Sequence, residues 1–251
     1  MSSPSRERKT HIRLITLLFL STLLTTSIQA NPANFIAAND LYEQQNFSEA
    51  ASAYKSLVES GTVTPNIFFN LGNAHFKSGE FGKAIAAYRA AQNLTPRDPD
   101  IRANLRFARD KAQNAGASAA QESWLNRLTA NEWILLASVP FWLCFILLAF
   151  AQIRRDWQKI VRSYATILGG LALVFGICAA VAAQHDAHQA AVVTSVEAVV
   201  RHGPFAESQT AFTLRDGAEL TVLDQRENWI QVSAGPNRIG WVRAAQVTVI
   251  N

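Results

Sequence analysis

The sequence predicts a multidomain membrane protein with three parts: all-α helical hairpins, two transmembrane helices and a small C-terminal β-barrel. Three observations lead to this fold class. Aromatic and small residues repeat every 34 residues between residues 31 and 112, two runs (134–153 and 164–183) carry no charge, and short valine-rich runs fill residues 190–251. A 34-residue period is typical of helix–turn–helix repeats, and an uncharged run of about 20 residues can cross a bilayer as a helix.

The net charge of +4 does not lie on one folded face, as nucleic-acid binding would require. Residues 1–30 and residues 154–163 each have a net charge of +3, so the rest of the chain sums to −2. Hydrophobic residues make up 49% of the chain and charged residues 17%, which excludes a mainly disordered protein. We therefore predict no nucleic-acid partner and assign the basic segments to membrane orientation.

Residues 1–30 have the layout of a secretory signal peptide. A basic segment (1–13) precedes a short apolar run (14–24), and a polar segment then ends in the small residue Ala30. We predict cleavage after Ala30, with an uncleaved anchor as the alternative. In both cases residue 31 begins outside the cytoplasm. The basic loop 154–163 between the two spans is predicted to be cytoplasmic, so both soluble domains lie outside.

Residues 31–112 are predicted to form helical hairpins. The repeating positions are Phe47, Ala50 and Tyr54 in the first copy and Phe81, Ala84 and Tyr88 in the second. Gly79 suits a tight turn, Pro96 ends the second helix of the second copy, and an apolar pattern after Pro99 predicts a closing helix. These residues resemble the tetratricopeptide repeat, which implies a helical scaffold.

In the tetratricopeptide-repeat family, the first helices of the hairpins line a concave groove that binds peptides. The resemblance places seven partner-binding positions on that face: Phe35, Asn39, Tyr42, Phe69, Asn73, Phe76 and Lys77. It implies that Asn39 and Asn73, at equivalent places, hydrogen-bond a ligand backbone. The family variant that clamps a C-terminal carboxylate has a lysine where this chain has Phe35, so no such clamp is expected. Core packing is the alternative role of the aromatic residues.

Two connecting segments are predicted around the spans. Residues 113–133 contain small and polar residues followed by tryptophan-flanked apolar residues, which predicts a flexible tether and an interfacial segment. Residues 184–189 form a short linker. Its two histidines, His185 and His188, lack the further ligands that a metal site needs, so a solvated linker is the prediction.

Residues 190–251 contain five or six short strand-like runs separated by Gly and Pro turns, which predicts a small β-barrel. Residues 217–247 resemble a bacterial SH3 domain, carried by Gly217, Trp229, Gly240, Trp241 and Val247. The proline-binding positions of eukaryotic SH3 domains correspond to Arg243 and Gln246, so proline-rich recognition is not expected. Trp229 is the predicted partner-binding residue of this domain, with barrel packing as its alternative role.

No segment has the motif spacing of a catalytic, cofactor or metal site, so we predict no enzyme activity and no cofactor. The order of segments resembles the BatE proteins of the Bacteroides aerotolerance group, and residues 96–109 are similar to the end of the repeats in that family. This resemblance implies a bacterial inner-membrane complex with von Willebrand A-type membrane proteins and a MoxR-type ATPase, linked to stress tolerance, assembly or export.

The sequence therefore predicts a membrane-anchored periplasmic scaffold for protein–protein interaction. Two alternatives remain open. One is a cell-wall sensor or anchor that binds peptidoglycan through the SH3-like domain, and the other is an accessory subunit of a membrane enzyme.

Overall fold

The computed structural model describes residues 32–114, 128–153, 155–187 and 189–250. The predicted signal peptide (1–30), most of the predicted tether, and Arg154 and His188 of the predicted connecting segments lie outside the described residues. The described chain forms an N-terminal helical region, two long apolar helices and a C-terminal antiparallel sheet.

The N-terminal region consists of α1 (Pro32–Glu43), α2 (Phe47–Glu59), α3 (Pro65–Lys77), α4 (Phe81–Leu94) and α5 (Pro99–Asn114). The Thr64 hydroxyl accepts the backbone N–H of Ile67 at 3.3 Å and caps α3. Gly79 has a φ of +77° in the turn between α3 and α4, a conformation that favours glycine. The helical repeat region that the 34-residue period predicts is therefore confirmed.

Small residues let the repeat helices pack closely around two tyrosines. Ala38, Ala50 and Ala84 are fully buried, and Tyr54 and Tyr88, which lie one period apart, are almost fully buried between the hairpins. Burial of large aromatic side chains is the main favourable contribution to such a core. The repeating aromatic and small positions thus form the core of the helical region.

Two long helices follow, α6 (Ala130–Ile153) and α7 (Gln158–Ala187), joined by a 3₁₀ turn at Arg155–Trp157. Both are long and apolar enough to cross a membrane. They pack side by side, with Trp133 of α6 beside Ala182 of α7 in one buried cluster. These helices contain the two runs that the sequence predicts as spans.

The start of α6 is capped and tied to the repeats. The Thr129 hydroxyl accepts the backbone N–H of Glu132 at 3.4 Å, and the Glu132 carboxylate accepts the backbone N–H of Thr129 at 2.9 Å. This reciprocal pair satisfies two N–H groups at the helix start. Glu132 also forms an ion pair with Arg97 in the loop between α4 and α5. The first long helix therefore begins in contact with the repeat region.

The C-terminal sheet has seven antiparallel strands: β1 (Ala190–Val193), β2 (Glu197–Arg201), β3 (Thr210–Arg215), β4 (Glu219–Arg226), β5 (Trp229–Ser233), β6 (Ile239–Arg243) and β7 (Val247–Ile250). Their order in the sheet is β3-β2-β6-β5-β4-β1-β7. Alternate residues along the strands form a buried core that includes Val200, Leu220, Ile230, Val232 and Val242. The short strands and turns expected from the sequence are present.

The prediction of a closed barrel is wrong. β3 and β7 are the two edge strands and do not pair with each other, so the sheet remains open. Ile250 of β7 is buried in a cluster with Ile85 of α4. A helix of the repeats thus covers apolar surface at one edge of the sheet, which barrel closure would otherwise have to protect.

The sheet packs directly on the repeat helices through apolar side chains. Val192 of β1 and Ile250 of β7 share one buried cluster with Ile85 of α4 and with Ala108 and Ala112 of α5. Each of these five residues is at most 6% exposed. The helical region and the sheet therefore share a hydrophobic core.

Two carboxylates of the sheet reach the repeats beside this core. Glu219, which is 8% exposed, has Oε1 2.6 Å from Nε of Arg109 and Oε2 3.0 Å from Nε of Arg89. Asp216 accepts the backbone N–H of Gly82 at 2.9 Å in the first turn of α4. The N-cap residue of α4 makes no side-chain cap, so the sheet supplies one.

We expect Gly82→Ala to loosen the sheet from the repeats. The added methyl would overlap the Val193 carbonyl oxygen and the Asp216 carboxylate. Within α4 alone, alanine would favour the helix by about 1 kcal/mol. Thermal unfolding of the full chain in detergent should therefore separate into two transitions, with the sheet unfolding first.

The matched control for this experiment is Gly170→Ala. Gly170 is also helical, but a Cβ there would have no heavy atom within 4 Å. The control should unfold like the unmodified protein. If Gly82→Ala unfolds in the same way as the control, the tight contact between α4 and the sheet does not exist.

Candidate partner-binding groove

The first helices of the repeats line a common groove with α5. The groove has a volume of about 330 Å³, and its lining side chains are Tyr42, Asn73, Phe76, Lys77, Tyr88, Asn104 and Phe107. Four of these, Tyr42, Asn73, Phe76 and Lys77, are among the partner-binding positions that the sequence predicts. The structure thus brings together more than half of the positions predicted in the helical region.

Helical spacing explains which side chains reach the groove. Asn73, Phe76 and Lys77 are three and four residues apart on α3, so they lie on one face of that helix. Asn104 and Phe107 are three residues apart on α5 and share a face in the same way. The groove face therefore follows from the helical period once the helices are in place.

A buried tyrosine and a neighbouring asparagine fix the orientation of Asn73. The Tyr88 hydroxyl donates to Oδ1 of Asn73 at 2.7 Å, and Nδ2 of Asn104 donates to the same oxygen at 3.0 Å. Burial raises the pKa of Tyr88, so its hydroxyl remains protonated and can donate. Because both neighbours are donors, the Asn73 amide must direct its oxygen toward them.

The same arrangement occurs one period earlier. The Tyr54 hydroxyl donates to Oδ1 of Asn39 at 2.6 Å, and Nδ2 of Asn70 donates to this oxygen at 3.3 Å. Burial raises the pKa of Tyr54 as well. The two copies thus orient Asn39 and Asn73 alike, which is the equivalence that the repeat predicts.

Aromatic rings form one wall of the groove. The ring centre of Phe76 is 5.6 Å from that of Phe81 and 5.3 Å from that of Phe107. The side chain of Phe107 is 54% exposed, which is unusual for a ring in contact with a core residue. Nζ of Lys111 lies 5.5 Å from the Phe107 ring centre. An exposed ring flanked by a cation is therefore available to a ligand.

Phe35 and Phe69, which the sequence also places on the binding face, lie against the tyrosines. Their ring centres are 6.1 Å from Tyr54 and 6.0 Å from Tyr88, respectively. Both are half-buried, and neither is among the residues that line the groove. This position fits their alternative role in core packing, and a binding role for Phe35, Phe69 and Asn39 stays a prediction.

Trp229, the predicted binding residue of the C-terminal domain, lies at the start of β5 and does not line the groove. Its cross-strand neighbours are Arg226 on β4 and Arg243 on β6. The guanidinium carbon of Arg243 lies 5.6 Å from the Trp229 ring centre, and the tryptophan is half-buried. Its binding role also stays a prediction.

His75 closes the turn between α3 and α4. Its Nδ1 is 2.7 Å from Oε2 of Glu80, and burial lowers the pKa of this histidine, which favours the neutral ring at pH 7. This is the packing role expected for His75. Within the described ranges, no group of three or more His, Cys, Asp or Glu side chains could hold a metal ion.

The sequence reasoning missed the groove residues of α5 and the role of Tyr88. Asn104 lies 34 residues after Asn70, and Lys111 lies 34 residues after Lys77. Extending the period by one more helix would have indicated both positions. The apolar pattern of α5 had instead been interpreted only as a closing helix.

Comparison with known families identifies the helical region. Residues 37–100 match the tetratricopeptide repeat family, and no curated protein matches the chain. The fold and this match define a tetratricopeptide-repeat region, which suggests a role in protein–protein interaction, and no catalytic family is found. The resemblance to the tetratricopeptide repeat is thereby confirmed, whereas the BatE and SH3 resemblances stay predictions.

We expect Tyr88→Phe to lower the free energy of unfolding by about 1 kcal/mol, the net contribution of one buried hydrogen bond. The ring would remain packed, and only the bond to Asn73 would be lost. Tyr42→Phe is the control, since its hydroxyl makes no hydrogen bond within the described residues. Denaturant unfolding of both variants checks this, and equal stability of the two would contradict the role assigned to the Tyr88 hydroxyl.

Proposed function

We propose that this protein is a membrane-anchored, non-catalytic scaffold that binds a segment of a partner protein in the groove of its repeats. The observation that carries the proposal is the groove itself. It lies in a region that matches a scaffold family, and it presents Phe107 more than half exposed beside Lys77 and Asn73. Exposed aromatic side chains among polar groups are typical of interaction sites.

The contact between the sheet and the repeats supports the membrane arrangement. Glu219 pairs with Arg109, so the chain before α6 and the chain after α7 lie on one side of a bilayer about 30 Å thick. Two crossings joined by the basic loop 154–163 satisfy this, with the loop in the cytoplasm. With the predicted signal peptide, both soluble domains are periplasmic and the anchor is in the inner membrane of a bacterium.

The docked sheet leaves the groove accessible. On α5, Ala108, Arg109 and Ala112 contact the sheet, whereas Asn104 and Phe107 line the groove. The two sets lie on different faces of one helix. A partner can therefore enter the groove while the sheet remains in place.

The proposed partners follow from the order of segments, which resembles the BatE proteins. They are von Willebrand A-type membrane proteins in a complex with a MoxR-type ATPase, with a role in stress tolerance, assembly or export. A partner anchored in the same membrane reaches the groove easily, because the Arg97–Glu132 ion pair holds the repeats at the start of α6.

We expect Phe107→Ala to abolish partner binding without unfolding the protein, because the ring is 54% exposed. The measurement is crosslinking in native membranes, followed by identification of the proteins attached to the full chain. Phe205→Ala is the matched control, since Phe205 is 53% exposed and lies in the sheet region. Identical crosslinked proteins in both variants would contradict partner binding in the groove.

A second candidate function is a cell-wall anchor, and the geometry of Trp229 favours it. A half-buried indole with the Arg243 guanidinium on its ring suits a ligand that combines sugar rings with carboxylates. If this function holds, the detergent-solubilised chain should pellet with purified cell-wall sacculi, and Trp229→Ala should prevent pelleting. Absence of pelleting by the unmodified chain would exclude it.

A further inference from the structure

The groove carries three kinds of groups that its own fold leaves available to a ligand. They are a pair of amide groups, an exposed aromatic ring and two ammonium groups. Each restricts the chemistry of the ligand in a different way. Their combination deepens the proposed function and rests on it, because it presumes that the groove is the binding site.

The amide groups are those of Asn73 and Asn104. Oδ1 of Asn73 is used by Tyr88 and by Nδ2 of Asn104, which leaves Nδ2 of Asn73 and Oδ1 of Asn104. Neither atom makes a hydrogen bond within the part of the chain that the structure describes. One donor and one acceptor, held side by side, match the C=O and N–H of an extended peptide backbone.

The ring of Phe107 provides an apolar contact. It packs on Phe76 at 5.3 Å between ring centres and still exposes more than half of its surface. The groove volume of about 330 Å³ is small, since ligand sites commonly measure about 300–1,000 Å³. It holds one apolar side chain with its flanking backbone, but not a helix of about 10 Å diameter.

The ammonium groups are those of Lys77 and Lys111, which lie one period apart on α3 and α5. Neither forms an ion pair within the described ranges, and Lys111 instead lies over the Phe107 ring. Among the acidic residues of these helices, Glu43 at the end of α1 is near enough to contribute to the raised pKa of Tyr54. Asp110 is the sequence neighbour of Lys111 and is also exposed.

We infer that the ligand is an extended segment of another protein in which an Asp or Glu side chain lies within two residues of a leucine or an aromatic residue. The apolar side chain packs on Phe107 and Phe76, and the carboxylate pairs with Lys77 and Lys111. The backbone between them bonds to Asn73 and Asn104. The carboxylate belongs to an internal side chain, so recognition does not need a free C-terminus.

The test is selection from a displayed library of random twelve-residue peptides, each followed by a constant C-terminal sequence, against the full chain in detergent. Selected peptides should contain the acidic and apolar pair. Affinity of the synthetic peptide should fall about tenfold for the double variant Lys77→Glu, Lys111→Glu, as expected for the loss of two exposed ion pairs. It should also fall with rising salt concentration.

Two controls separate the groove from general charge effects. Lys55→Glu changes an exposed lysine of α2 that pairs with Glu59 outside the groove, and it should leave the affinity unchanged. Replacing the peptide's Asp or Glu by Asn or Gln should reproduce the loss on the unmodified protein. If the double Glu variant unfolds, Lys77→Ala, Lys111→Ala replaces it, with a smaller loss of affinity in the same direction.

The outcomes distinguish this inference from the function on which it rests. Peptides that require Phe107 but carry no acidic residue would overturn the inference and leave the groove as a binding site. Failure to select any peptide whose binding is lost in Phe107→Ala would overturn both.

Discussion

The buried contact between the sheet and the repeats is the constraint on which the rest of the structure depends. Glu219 lies between Arg89 and Arg109 at the rim of a shared apolar cluster. A buried ion pair adds little net stability, because each charge must lose its water. It does favour one docking geometry, since any other would bury a charge without its partner. The apolar cluster supplies the attraction, and the charges select the face.

Helix α5 connects this contact to the groove. One face of the helix presents Ala108 and Arg109 to the sheet, and another presents Asn104 and Phe107 to the groove. In a repeat array, a terminal helix usually serves to cover an apolar face. Here the sheet covers that face, which leaves the other side of α5 free to line a binding surface. The C-terminal domain therefore completes the repeat array as well as adding a module to it.

The sequence alone predicts the elements better than their assembly. The period of 34 residues, seen in pairs such as Tyr54 and Tyr88, predicts the repeat helices, and uncharged runs predict the two long helices. Local patterns predict the strands but not the open sheet, because burial of Ile250 depends on α4, a helix far away in sequence. The groove is predicted where residues repeat. The tyrosine bonds that orient Asn39 and Asn73 need three-dimensional contacts that no spacing reveals.

The most direct test of the central contact is a double-mutant cycle between Arg109 and Glu219. The free energy of unfolding would be measured for the membrane-inserted full chain, for Arg109→Ala, for Glu219→Ala and for the double variant. Contact between the two side chains predicts a coupling energy of about 1 kcal/mol or more. A coupling energy of zero would mean that the two regions do not touch, and the shared position on one side of the membrane would lose its support.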